Sequence, residues 1–201
     1  MHARHALLLA LAVAWAGVGA PSDAQACACC TNIGQRHVGI HRLDDAYRSE
    51  IEQLRFGPVA HLFTGEADTG DIKGITTPST SYDLSVAQHP DRWVFSFRDA
   101  KGHSGSLTLA IPNSIAVFEV DPRRGEPEGG LGPTLYKEWK LTAPAGGTGV
   151  FASGAGRGLR VTFILHGHGN SCPSATDFTA WTLIVHGPAA EYHLYGDLRQ
   201  P

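Results

Sequence analysis

The residues of this 201-residue chain best suited to chemistry are its four cysteines. Cys27, Cys29 and Cys30 fall within four positions, and Cys172 stands far away in Gly169-Asn170-Ser171-Cys172-Pro173. Thiolates so close together can converge on one ion without a folded scaffold. Soft thiolates suit copper(I), and also zinc. The competing chemistry is oxidation. Four cysteines allow three pairings, and each joins one member of the cluster to Cys172. The second bridge then closes inside the cluster. Cys27–Cys30 makes a feasible ring, whereas Cys27–Cys29 or Cys29–Cys30 would be strained, because disulfide geometry is narrow. Structural bridges alone do not require three cysteines so close, and that crowding favours a metal. Zinc sites, however, usually present two separated pairs of ligands, and only one cluster is present. A c-type haem is disfavoured, since Thr31 stands where the attachment motif needs histidine. Met1 is the sole methionine, so a processed chain has no axial methionine for a blue-copper centre.

The eleven histidines add a second set of candidates. His166 and His168 form H-x-H, so on a strand both project from one face, that of Arg160 and Thr162. Pairing of their strand with the next would gather His166, His168, His186 and Cys172 at one end of a sheet, as a metal site or as plain strand-end histidines. His37 and His41 flank the start of a helix near the cysteine cluster. The candidate metal ligands are therefore Cys27, Cys29, Cys30, Cys172, His166 and His168. Catalytic patterns are thin. Gly102-His103-Ser104-Gly105-Ser106 lacks the last glycine of a nucleophile elbow and falls in a hairpin turn. Glu66, Asp68 and Asp71 lack the EF-hand spacing and read as a solvated loop. The reading leans away from an enzyme.

These side chains need a scaffold, and the apolar pattern describes one. Leu43, Tyr47, Ile51 and Leu54 recur at helical spacing, and Gly57-Pro58 is a stop. The period then switches to two. Trp93, Phe95 and Phe97, a turn at Asp99-Ala100-Lys101-Gly102, and Leu107, Leu109 and Ile111 predict a β-hairpin. Further strands are expected at 59–64, 82–87, 115–120, 135–141, 159–166, 181–186 and 191–198. Residues 122–134 read as a long loop. Gly146-Gly147 and the glycines at 154, 156 and 158 read as turns rather than phosphate cradles, because a strand follows where a dinucleotide fingerprint needs a helix. The expected fold is mainly β, an antiparallel β-barrel or β-sandwich of about 8–10 strands with one N-terminal helix.

The first 26 residues explain where this scaffold would work. Arg4 precedes an apolar run from Ala6 to Gly19, and Ala24-Gln25-Ala26 supplies a cleavage site. The run is too short for a membrane-spanning helix. The expected organisation is a signal peptide over 1–26, a Cys-rich segment plus helix over 27–57, and a β-rich region over 58–201, one domain overall. The location is then periplasmic or extracellular. Acylation of Cys27 is a lesser alternative, since Ala24-Gln25 matches a lipobox poorly. The net charge of −3 and the mixed signs around Arg123-Arg124 give no footprint for nucleic acid. Three readings follow. The first is an exported protein binding copper or a similar soft metal. The second is an exported ligand- or partner-binding domain stapled by disulfides. The third is a hydrolase or oxidoreductase whose active site has no visible motif.

Overall fold

The computed structural model describes residues 33–65, 72–122 and 135–200. The strands are β1 (Arg36–Arg42), β2 (Arg55–Phe56), β3 (Val59–Phe63), β4 (Ser81–Gln88), β5 (Arg92–Arg98) and β6 (Ser104–Ala110). They continue with β7 (Ser114–Val120), β8 (Tyr136–Gly149), β9 (Arg160–His168), β10 (Phe178–Gly187) and β11 (Ala190–Arg199). Among the described residues there is one α-helix, α1 (Asp45–Glu52), between β1 and β2. Eight strands close an antiparallel barrel in the order β8-β6-β5-β4-β3-β11-β10-β9, with β9 pairing back onto β8. The expectation of a barrel or sandwich thus resolves to a barrel. β2 adds to β11, and β7 and β1 extend the sheet beyond β8.

The closure depends on one long strand. The first half of β8 pairs with β7 from Tyr136 to Lys140, and its second half pairs with β6 from Ala145 to Gly149. Pro144 sits between these two pairings, where its missing N–H breaks no ladder on that side. Gly146 and Gly147 therefore belong to a strand, opposite Thr108 and Leu107, and not to a turn as expected. Local glycine content suggested the turn, but pairing with a distant strand overrides it.

The alternation read from the sequence becomes inside and outside. Trp93, Phe95 and Phe97 point inward with Leu107, Leu109, Trp139, Leu141, Val161, Phe163, Leu165, Trp181, Leu183 and Val185. Barrels of eight strands either pack their interior with side chains or leave a cup for a small ligand. This interior is packed. Phe56 reaches in to contact Trp93, Phe95, Phe163 and Trp181, with ring centroids 5.5–6.1 Å apart. At the far end, Phe151 packs on Phe97, Tyr82 and Tyr192. Surface recesses do exist, such as a shallow groove of about 460 Å3 over Ser85, Ser96, Ser106 and Thr148.

Helix α1 covers the opposite end of the barrel. Leu43 and Leu54 flank it and are buried with Ile51. Tyr47 packs edge-on against Trp139 at 5.1 Å, and Gln88 donates to the Ile51 carbonyl. The helix is eight residues long and begins at a side-chain cap, where Asp44 Oδ1 accepts from the Tyr47 amide at 3.2 Å. Replacing such a cap by alanine typically costs about 1 kcal/mol. Asp44→Ala is accordingly expected to lower stability by that amount in urea unfolding, with Asp45→Ala as a control of smaller effect. Among the described residues, no helix is long and apolar enough to cross a membrane.

Candidate functional site at the helix end of the barrel

Lys137 occupies an inward position of β8, in phase with Trp139 and Leu141, and is 1% exposed. An ammonium group at this depth requires partners. Its Nζ donates to Asp177 Oδ2 at 2.8 Å and to the Ser171 carbonyl, and lies 3.8 Å from Glu119 Oε1. Glu119 is the cross-strand neighbour of Lys137 on β7. The cluster holds down the connection between β9 and β10, which runs from Gly169 to Asp177.

Two glycines make this possible. A Cβ on Gly167 would meet the Asp177 carbonyl oxygen at 2.0 Å, and one on Gly169 would meet the Asp177 carboxylate at 2.0 Å. In His166-Gly167-His168-Gly169, the glycines are thus the residues that build the site. Three more bonds fix the connection: Gly169 N to the Leu135 carbonyl, Leu135 N to Asn170 Oδ1, and Ala175 N to Glu50 Oε2 of the helix.

Cys172 is exposed on this anchored connection. It stands within electrostatic reach of Tyr47, whose phenol is pushed up chiefly by burial, then by the charges of Glu119, Asp44 and Cys172. Tyr47 also stacks on His41 of β1 at 5.9 Å. The chain joins the sheet at this same end, where the Gly34 amide donates to the buried Asp121 at its backbone carbonyl. Arg36 then pairs with Val120 as β1 begins.

The two sequence-predicted histidines lie elsewhere. His166 and His168 project from the outer face of β9, as their phase predicted, opposite Glu138 and Tyr136 of β8. Cys172 follows on the β9–β10 connection, within electrostatic reach of Tyr47, and does not form one group with them. His186 is further still. It pairs with Arg160, six positions along β9 from His166, a separation of roughly 20 Å at strand rise. The expected gathering of His166, His168, His186 and Cys172 is therefore corrected: antiparallel pairing sends the end of β10 to the far end of the barrel. Among the described residues, no three His, Cys, Asp or Glu side chains converge as a metal site. Cys27, Cys29 and Cys30 lie outside the described residues, as do the signal segment and Glu66, Asp68 and Asp71.

Two further polar groups have recognisable geometry. On the outer face, Thr182 Oγ1 lies 3.4 Å from His166 Nε2, and Glu138 faces the other side of the imidazole. The order resembles nucleophile, base and acid. The Glu138 carboxylate, however, accepts from Tyr136 at 2.6 Å and from Lys140 at 2.7 Å, and makes no bond to His166. Burial holds the His166 imidazole below its ordinary pKa, with Glu138 acting in the opposite direction. At the far end, Asp99 accepts from the Lys101 and His103 amides and lies 2.8 Å from His103 Nδ1. The His103 hydrogen bond holds the Asp99 carboxyl below its usual range. This is a capped β5–β6 hairpin turn, as its sequence predicted, and no strand–turn–helix elbow surrounds Ser104.

Sequence reading missed Lys137, Glu119 and Asp177. A signal was present for the first. Lys137 falls on the apolar phase of the alternation from Leu135 to Leu141, which is an anomaly for a lysine. Compared with family models, with curated proteins and with solved structures, the chain matches none of them.

Proposed function

We propose that the chain is an exported β-barrel protein that binds a soft metal ion, copper(I) ahead of zinc, through Cys27, Cys29, Cys30 and Cys172. The supporting observation is the anchored position of Cys172 at the barrel end where the chain joins the sheet. Lys137, two strands from β1, holds the Ser171 carbonyl beside Cys172. Two strand spacings are about 10 Å. Cys30 precedes the described Ile33 by three residues, a span of up to about 10 Å of chain. In this reading the cluster thiols meet Cys172 at this end of the barrel, where a fixed fourth thiolate adds a ligand at little ordering cost. His166 and His168 take no part, since they project from the outer face. The packed interior favours the end of the barrel, not its centre, for binding.

The same placement supports a second reading, in which the cluster is stapled to Cys172 by a disulfide. That bridge would close a loop of about 140 residues, worth up to about 5 kcal/mol in the chain-entropy account. One preparation separates the two readings. The mature protein is isolated from its own compartment, and its mass, N-terminus, thiol count and metal content are measured. An N-terminus at or near Cys27, one equivalent of copper(I) taken up by reduced protein, and loss of that uptake on Cys29→Ser with Cys30→Ser are expected. Absence of metal above background in protein kept reduced would sink the metal reading. Fully paired cysteines, with the matching mass gain on reduction, would favour the staple, and three or more reactive thiols in native protein would exclude it.

A further inference from the structure

Strand β1 is an edge. All seven of its residues pair in unbroken register with β7, and among the described residues no strand pairs with its other side. Edge strands are normally guarded by proline, a bulge or an inward-pointing charge, because their free amides and carbonyls invite another chain. β1 has no proline and no bulge. Its even-numbered residues project from the outer face of the sheet. Val38 is 76% exposed and Ile40 is 80% exposed, the highest values among the large apolar side chains described. Phe118 and Ala116, opposite them on β7, continue the apolar surface and are half-buried. Arg36 and Arg42 bracket the pair on the same face, both are exposed, and the strand contains no acid.

We infer that β1 is a docking edge for an extended segment of a partner protein with the pattern acid-x-apolar-x-apolar-x-acid. Added strands gain affinity from backbone hydrogen bonds and specificity from alternate side chains. The period of two places two apolar residues of the incoming strand beside Val38 and Ile40. Its terminal carboxylates then fall beside Arg36 and Arg42, where opposite charges across a strand pair stabilise. Arg36-His37-Val38-Gly39-Ile40-His41-Arg42 reads with the same residue types in either direction, so the pattern holds for both strand orientations. The charges also disfavour a second copy as the occupant. A two-fold pairing of β1 with itself about Gly39 sets Arg36 opposite Arg42 at both ends, and like charges directly opposed destabilise.

The test uses the full chain and two labelled synthetic peptides, acid-ended ETVTVTE and lysine-ended KTVTVTK, in fluorescence anisotropy at low salt. The acid-ended peptide is expected to bind at least tenfold more tightly, and to slow amide exchange along β1. Arg36→Glu with Arg42→Glu should reverse the preference, and Val38→Thr with Ile40→Thr should remove binding of both peptides. Equal binding of the two peptides, no binding up to millimolar concentration, or failure of the charge swap to reverse the preference overturns the proposal. So does slow exchange, in the chain alone, of those β1 amides that point away from β7, which would place another part of the same chain on the edge. A concentration-dependent dimer lost on Val38→Thr with Ile40→Thr would assign the edge to a second copy. Binding to anionic phosphatidylglycerol vesicles without peptide binding would assign it to a membrane surface; both also overturn it.

Discussion

Replacing Lys137 by methionine lowers the stability of the fold by about 3–5 kcal/mol, the usual cost of removing one partner of a buried ion pair. The reason lies in what remains. Asp177 and Glu119 are 8% and 9% exposed, and the ammonium is within 4 Å of both. Without it, two carboxylates face each other in a partly dry site, and the Ser171 carbonyl loses its donor. Methionine conserves the volume, so the loss reads charge and hydrogen bonding and not packing. Urea unfolding followed by tryptophan fluorescence measures it. Lys140→Met is the internal comparison. Lys140 pairs with Glu138 on the outer face and is 39% exposed, so its loss should cost no more than about 1 kcal/mol. Equal effects for the two lysines would show that the Lys137 cluster is not the clamp described. Adding Asp177→Asn to Lys137→Met should recover part of the loss, because the two residues form one network.

The aromatic interior gives an effect of the same size with an opposite lesson about hydrogen bonding. Trp181→Ala is expected to cost about 3–5 kcal/mol, as deletion of a large buried ring does. Trp181 is fully buried and packs against Phe56, Phe95 and Phe163. Its indole Nε1, however, is buried with no hydrogen-bond partner among the described residues. A buried donor left unmade costs about 1–3 kcal/mol. Trp181→Phe removes that cost together with part of the ring, so it should stay within about 1 kcal/mol of wild type. A second variant tests the fit directly. A Cβ on Gly196 would lie 2.8 Å from Trp181 Cζ2 and 2.7 Å from the Val59 carbonyl oxygen. Gly196→Ala should therefore be destabilising in the wild type and less so beside Trp181→Phe. Independent, additive effects would show that the two residues do not share the space described.

Much of this architecture was legible along the chain. Trp93, Phe95 and Phe97 and their successors announce strands because side chains alternate faces on a pleated backbone, whatever lies beside them. The same logic placed His166 and His168 on the outer face, opposite Leu165. The helix around Tyr47 and Ile51 carries its own period, and the β5–β6 turn its own chemistry in Asp99 and Gly102. Export is likewise an expectation of the chain alone, resting on the run from Ala6 to Gly19 and the site at Ala24-Gln25-Ala26. β1 escaped notice because Arg36-His37-Val38-Gly39-Ile40-His41-Arg42 has a glycine at its centre and little apolar contrast.

What the tertiary structure alone decided are the relations between distant residues. Periodicity gives each residue a face but no neighbour on the next strand. Closure of the barrel rests on β8 changing partners at Pro144, between β7 and β6, and on β9 returning to β8. That closure turns the lysine of an alternating strand into the anchor for Asp177 and Ser171. It also separates His186 from His166 by the length of a strand. It anchors the connection that carries Cys172 at the end of the barrel where Gly34 bonds to Asp121. Burial and charge compensation act between strands far apart in sequence, so the cysteines were readable as chemistry from the chain, while the place where Cys172 stands was a product of the fold.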